Sequence, residues 1–263
     1  MSGMRPCCLT IAGSDSGGNA GIQADLRAFH AYGLHGCTVL AALTAQNPFG
    51  VSAIHGVPPD FVAAQLDAVL GVYSIAALKT GMLADPAVID VVADRLRGRT
   101  DIAKVIDPVM VATSGSRLIT DAATESLKAR LLPLATVITP NVPEAEVLSG
   151  MALKCRADVR EAARRLNGEY GCAVLVKGGH AVGDLGAAED TLFDGEEFSA
   201  ATMPWIANPV STHGTGCSLA AALAAELALG RDLKTAVEGA KAYVHKAIAS
   251  SYEVGEKCGV LGF

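Results

Sequence analysis

"THGTGCSLAAALAAELALG", residues 212–230, sets a Gly-Thr-Gly turn directly before an alanine-rich run, with Cys217 at the junction. The run predicts a helix from about residue 216 to 229, ended by Gly230. Glu226 interrupts it, so a helix buried in a soluble domain fits better than a membrane span. Gly214, Thr215, Gly216 and Cys217 can present successive backbone N–H groups at the helix start. Such a nest, reinforced by the positive end of the helix dipole, holds an anion. Donors of this kind also stabilise the charge that develops on a phosphoryl group in transfer. The competing explanation is a glycine-rich turn that merely feeds a packed helix. A thiol at that position is expected to ionise more readily than a free cysteine, and so to act as a weak base or a polarisable contact.

Outward from this stretch, short apolar runs alternate with longer amphipathic ones. The runs at 7–12, 37–43, 75–80, 103–107, 135–139 and 172–177 predict strands, and those at 21–33, 59–71, 86–98, 121–131 and 157–171 predict helices. Strands without polar alternation are expected where helices cover both faces of a sheet. The rhythm indicates an α/β domain with a largely parallel sheet. After Lys177 it changes: residues 190–200 predict a hairpin turning at Asp194-Gly195, and a last helix follows over 232–250. No linker composition and no repeat divides the chain, so residues 1–263 are read as one domain.

Composition narrows the function classes. The chain has 263 residues, 51% of them hydrophobic and 18% charged, which suits a folded domain with a sizeable core. A net charge of −6 without any basic run argues against nucleic-acid binding. The N-terminal apolar run is too short for a signal-peptide core, and no segment predicts a membrane span. Seven cysteines with no Cys-x-x-Cys suit reduced thiols in a cytoplasmic protein rather than a disulfide framework or a zinc knuckle.

Ligands of parallel α/β sheets gather beyond the carboxyl ends of the strands. Nearly every loop expected there carries glycine or a polar group. "GSDSGGNAG" (13–21) matches neither dinucleotide nor phosphate-loop spacing, since no Gly-Lys dipeptide occurs in the chain. It reads as a turn lying over a ligand, with Asp25 in the first turn of the following helix, where it could equally offset the helix dipole. Gln46 and Asn47 end the second strand; amides there can read the donor and acceptor edges of a small heterocycle, or cap a loop. Asp107, Asn141 and Glu144 form the sparse oxygen set that Mg2+ prefers, though Asn141 and Glu144 also fit a helix N-terminus built around Pro143. Lys177, beside two glycines, suits a phosphate as a point charge, or is an ordinary solvated lysine.

The motifs "TIAGSD", "GGNAGIQADL", "ALTAQN", "KTGML", "DPVM", "ATSG", "VITPN", "EAEVLSG", "KGGH" and "HGTGC" occur in one order along residues 8–250. In that order the chain resembles the hydroxymethylpyrimidine/phosphomethylpyrimidine kinases of thiamine biosynthesis, within the ribokinase-like superfamily. The resemblance implies a three-layer αβα fold with a mostly parallel central sheet. It implies ATP-dependent phosphorylation of 4-amino-5-hydroxymethyl-2-methylpyrimidine and then of its monophosphate, with ATP and Mg2+, in a cytoplasmic homodimer. It implies that Asp25, Gln46, Met82, Val109 and Cys217 line the pyrimidine pocket. Asp107, Asn141 and Glu144 would serve magnesium and phosphates, Lys177 the nucleotide phosphates, and Gly214 to Cys217 the anion hole. The chain departs from the family pattern at Asn19, where glycine is common, and in its tail.

A pyridoxal kinase of the same fold is the nearest rival. Gln46-Asn47 favours the pyrimidine, because an amide can pair with a ring nitrogen and an exocyclic amine together. A hydrolase using Cys217 and His213 lacks a third orienting group. A binding protein without chemistry would leave every phosphate and metal candidate without a purpose.

Overall fold

Strand β1 (Cys7–Asp15) buries both of its faces: Leu9 and Ile11 enter one apolar layer and Cys8 the other. The same division recurs in β5 (Ala103–Ile106), β6 (Val137–Ile138) and β7 (Ala173–Lys177), where Ile106, Ile138 and Val174 face one way and Val105, Val137 and Leu175 the other. This two-sided burial is why the strands read as unbroken apolar runs. The structure is a computed structural model that describes residues 5–110, 119–178 and 187–263. The "ATSG" motif at 112–115 and Gly179 and His180 of "KGGH" lie outside the described residues.

Helices α2 (Pro59–Leu70), α3 (Pro86–Leu96), α4 (Asp121–Ser126), α5 (Val142–Ser149) and α6 (Arg156–Tyr170) cover the first face. Helices α1 (Gly21–Ala31), α7 (Thr215–Ala228) and α8 (Leu233–Ala249) cover the second. The result is the expected three-layer αβα sandwich. Every residue of α7 from Ser218 to Ala225 is buried, so its small side chains let it lie close against the sheet on one side and its neighbouring helices on the other.

With β2 (His35–Asn47), β3 (Gly50–Gly56), β4 (Ile75–Thr80), β8 (Ala187–Phe193) and β9 (Phe198–Pro204), the sheet runs β3-β2-β1-β4-β5-β6-β7-β8-β9. The pairings from β2 through β7 are parallel, and the outer ones are antiparallel. The order reverses at β1, which opens a crevice at the carboxyl ends of β1 and β4.

Several boundaries moved. Strand β2 runs on to Asn47 because it pairs with β3, a strand absent from the sequence reading. Strand β6 keeps only two residues. The segment expected as one helix over 121–131 widens after Ser126 into a π turn (Leu127–Leu131) and then tightens into a 3-10 turn at Pro133, whose ring cannot continue α-helical bonding. The predicted hairpin is β8–β9, with Gly195 at φ +110° in its turn. The tail forms a small hairpin, β10 (Tyr252–Gly255) with β11 (Cys258–Val260). Among the described residues no helix is long and apolar enough to cross a membrane.

Candidate functional site

A cavity of about 490 Å³ opens at the carboxyl edge of the sheet. Gln46, Met82, Val109, Asp107, Asn141, Glu144, Lys177 and the Gly214–Cys217 turn all line it; Asp25 does not.

The loop after β1 is organised around Asp15. Its Oδ1 accepts the Gly17 N–H and its Oδ2 accepts those of Asn19 and Ala20, each at 2.8 Å. Burial opposes charge on this carboxyl, but His213 and the three amides together hold it below the usual carboxylate range. The loop packs directly on the turn before α7. Gly214 has φ +90°, and a side chain there would overlap the Asn19 carbonyl oxygen. Residue 19 therefore meets the nest through its main-chain oxygen, which a glycine there would supply as well.

At the start of α7, the N–H groups of Gly216 and Cys217 have no acceptor among the described residues, as expected for the first turn of a helix. The Lys177 ammonium lies beside them, 3.6 Å from where a Cβ on Gly216 would stand. Two open amides, a helix N-terminus and a cation thus converge on one corner of the cavity, an arrangement suited to a phosphate.

Lys177 is not a solvated side chain. Its Nζ donates to Asp107 Oδ1 at 2.6 Å, and Thr139 Oγ1 donates to the same oxygen at 2.9 Å. Burial alone would weaken its charge, but Asp107 and then Glu144 hold the ammonium above its ordinary value.

Asp25 is displaced from its expected place. It is the fifth residue of α1, on the stripe of Ala24, Asp25, Ala28 and Phe29 that faces the core. Its carboxylate accepts from Lys79 at 2.9 and 3.0 Å and from Thr10 Oγ1 at 2.6 Å. Asp25 therefore supports the floor, and Lys79 lines the cavity. Lys79 escaped the sequence reading because it sits inside an apolar strand and its partner is 54 positions away.

Cys217 reverses its expected ionisation. Burial pushes the thiol above its ordinary value; Lys79 opposes this, while Asp25 and Asp107 add to it. The helix terminus does not compensate, because desolvation and the nearby Asp25 and Asp107 carboxylates outweigh it. The thiol is neutral near pH 7 and not a weak base.

Asn141 and Glu144 form a reciprocal helix cap. Asn141 Oδ1 accepts the Glu144 N–H and Glu144 Oε2 accepts the Asn141 N–H, each at 2.8 Å. Glu144 Oε1 takes the Met110 N–H at 3.2 Å. Burial raises the Glu144 carboxyl to about 7; Lys177 counteracts this and Asp107 adds to it.

Gln46 Nε2 lies 3.4 Å from His213 Nε2, and Thr44 Oγ1 lies 3.1 Å from Gln46 Oε1. Among the described hydrogen bonds none joins His213 to Cys217, which removes the nucleophile–base pair that a hydrolase needs. At the other end of the cavity stand Trp205, Lys241 and His245, none of them singled out by the sequence. Asp190 ties that end together by accepting from Lys241 at 2.8 Å and from the Gly178 N–H at 3.0 Å. These residues come from the hairpin and the last helix, far from any motif, so no spacing pointed to them.

A model of the phosphomethylpyrimidine kinase family matches residues 15–262. The chain is 48% identical over 257 residues to the hydroxymethylpyrimidine/phosphomethylpyrimidine kinase of Synechococcus elongatus, covering 98% of this chain and 97% of that one. It is 48% identical over 251 residues to the thiamine biosynthesis bifunctional protein ThiED of Geobacter sulfurreducens; 95% of this chain is covered, and it spans only 51% of that protein. Among solved structures, the ADP complex of Bacillus subtilis pyridoxal kinase superposes with a TM-score of 0.89 at 36% identity, covering 98% of this chain and 97% of that one.

Proposed function

The chain belongs to the phosphomethylpyrimidine kinase family, and from that premise we propose that it transfers the terminal phosphoryl group of ATP to 4-amino-5-hydroxymethyl-2-methylpyrimidine and then to the resulting monophosphate. The observation that carries this reading is the corner where Lys177 meets the open amides of Gly216 and Cys217, inside the same cavity as Gln46.

The division of labour follows from position. The amides of Gly216 and Cys217 and the Lys177 ammonium receive the charge that develops on the moving phosphoryl group, whereas the Thr215 N–H, also expected in the nest, is taken by the Thr212 carbonyl oxygen at 3.4 Å. Gln46 offers paired donor and acceptor groups to the pyrimidine edge, with Met82 and Val109 as apolar walls. Cys217, neutral, stands at the acceptor hydroxyl as a polarisable contact and weak S–H donor. Asp25 acts from beneath by holding Lys79.

Direct magnesium ligation fits only part of the expected set. Asn141 Oδ1 and Glu144 Oε2 are engaged in the helix cap and Glu144 Oε1 takes the Met110 N–H, so these side chains would serve a metal through water rather than as direct ligands. Asp107 fits better: both of its described bonds fall on Oδ1. Mg2+ commonly takes one or two carboxylates, waters and substrate phosphates. Bound there, it supplies charge neutralisation at the phosphates.

Residues 1–263 are read as one domain, supported by a single nine-stranded sheet that draws strands from residue 7 to residue 204. The protein is read as a cytoplasmic homodimer; the seven free cysteines support a reducing compartment. Light scattering of the purified chain at micromolar concentration tests the dimer.

Phosphorylation of a pyridine alcohol is the second reading, favoured by the similarity to pyridoxal kinase. The lower identity to that protein, 36% against 48%, ranks it behind the pyrimidine. ADP release with Mg-ATP and each alcohol in turn decides between them. Faster turnover of pyridoxal overturns the pyrimidine reading.

A further inference from the structure

Among the described residues the Gln46 carboxamide has two side-chain hydrogen-bond neighbours, and they decide which way round it faces. A carboxamide is nearly symmetric in shape, so only hydrogen-bond partners tell its oxygen from its nitrogen, and a half-turn of the terminal bond exchanges the two. Both neighbours line the cavity, as does Gln46.

At one end stands Thr44. Its hydroxyl has a single proton and two acceptors facing it, and the Ser14 carbonyl oxygen, at 2.9 Å, is nearer than Gln46 Oε1 at 3.1 Å. With that proton given to Ser14, Thr44 Oγ1 faces Gln46 as an acceptor and calls for the amide NH2. At the other end, His213 Nε2 lies 3.4 Å from Gln46 Nε2, the atom that a half-turn of the amide exchanges with Oε1, and 3.8 Å from Asp15 Oδ2. A ring lone pair near a carboxylate is repelled and an N–H is attracted, so Nε2 carries the proton. Asp15 is fixed as the source of that bias by its three backbone amides.

We propose that His213 is the specificity-determining positioning residue of this pocket: its Nε2–H donates to the Gln46 carbonyl oxygen and thereby sets the order in which the amide offers acceptor and donor to the substrate ring. The proposal rests on the pyrimidine reading above. A 4-aminopyrimidine shows a ring-nitrogen acceptor beside an NH2 donor. Its 4-oxo counterpart shows a ring N–H donor beside an oxygen acceptor, the reverse order. With the hydroxymethyl group required at the start of α7, the ring cannot turn over to compensate, so one amide orientation accepts one ring and rejects the other.

Two measurements test this. Nitrogen NMR of protein labelled at histidine is expected to show His213 Nε2 bearing a proton; an unprotonated Nε2 overturns the proposal without any variant. Steady-state kinetics on the amino and oxo alcohols supplies the second. His213→Ala should cut the preference for the amino ring roughly tenfold, the size of one misdirected hydrogen bond, through KM with kcat little changed. His213→Gln, which restores an N–H donor, should retain most of the preference. An alanine variant with the parent's preference, or a loss confined to kcat, overturns the proposal. If the unaltered protein phosphorylates neither ring, the substrate reading falls, while the nitrogen spectrum still decides the hydrogen bond.

Discussion

Lys79 Nζ lies 2.9 Å from Asp25 Oδ2, and neither side chain has any exposure to solvent. Such a pair is costly to break because removing one partner strands a charge in the interior. Lys79→Met is expected to lose about 3–5 kcal/mol in urea unfolding, and the double variant with Asp25→Leu to recover part of that. Burial pushes the Lys79 ammonium down, but Asp25 outweighs it and the folded value stays above the ordinary one. The contribution is therefore complete below about 10.4, the unfolded value, and is lost as pH rises through the folded value. Alkaline unfolding should be steeper for the native pair than for the double variant, and equal slopes would contradict the assignment.

Cys217→Ala should lower kcat roughly tenfold while leaving the Kd for ATP nearly unchanged, because the sulfur faces the acceptor rather than the nucleotide. Equal losses by kinetics and calorimetry count against that placement. The thiol should also resist iodoacetamide at neutral pH and react faster only above the free-cysteine range near pH 8.5, since burial holds it protonated. Fast alkylation at pH 7 is the contrary result.

Gly214→Ala tests the contact between the two loops. The position has φ +90°, and a methyl group would press on the Asn19 carbonyl oxygen. The strain and the overlap together should cost about 2–4 kcal/mol in thermal unfolding, with activity falling further than stability as the nest is displaced. A variant with the parent's Tm would show that the loops are not in contact.

Asp107→Asn and Asn141→Ala separate the metal site from the helix cap. The first should raise the Mg2+ concentration needed for half-maximal rate. The second should lower stability by about 1 kcal/mol through the lost cap and shift the magnesium titration less than the first does. A magnesium shift in Asn141→Ala alone would return that side chain to the metal.

The parallel strands, the switch-point crevice and most cavity residues were legible because they depend on local pattern, whereas β3 and the tail hairpin were not. Gln46, Asp107, Lys177 and residues 214–217 each follow or end a recognisable element, and chain direction alone sends them to one edge. Lys79, Trp205 and Lys241 were not legible as site residues, and His213 was read only as a possible partner of Cys217, for their roles exist only through partners remote in sequence. Charge state was the other failure. Cys217 was placed by its helix position, but its ionisation depends on how much water and how many carboxylates surround the sulfur.

Sequence by itself determined the layered fold and the edge at which the ligand groups collect, since apolar runs buried on both faces admit few other packings. Tertiary structure alone decided which polar groups meet there: Asp25 with Lys79, Lys177 with Asp107, His213 with Gln46. The physical reason is that hydrogen bonds and desolvation act over a few ångströms in space, and no spacing along the chain encodes those distances.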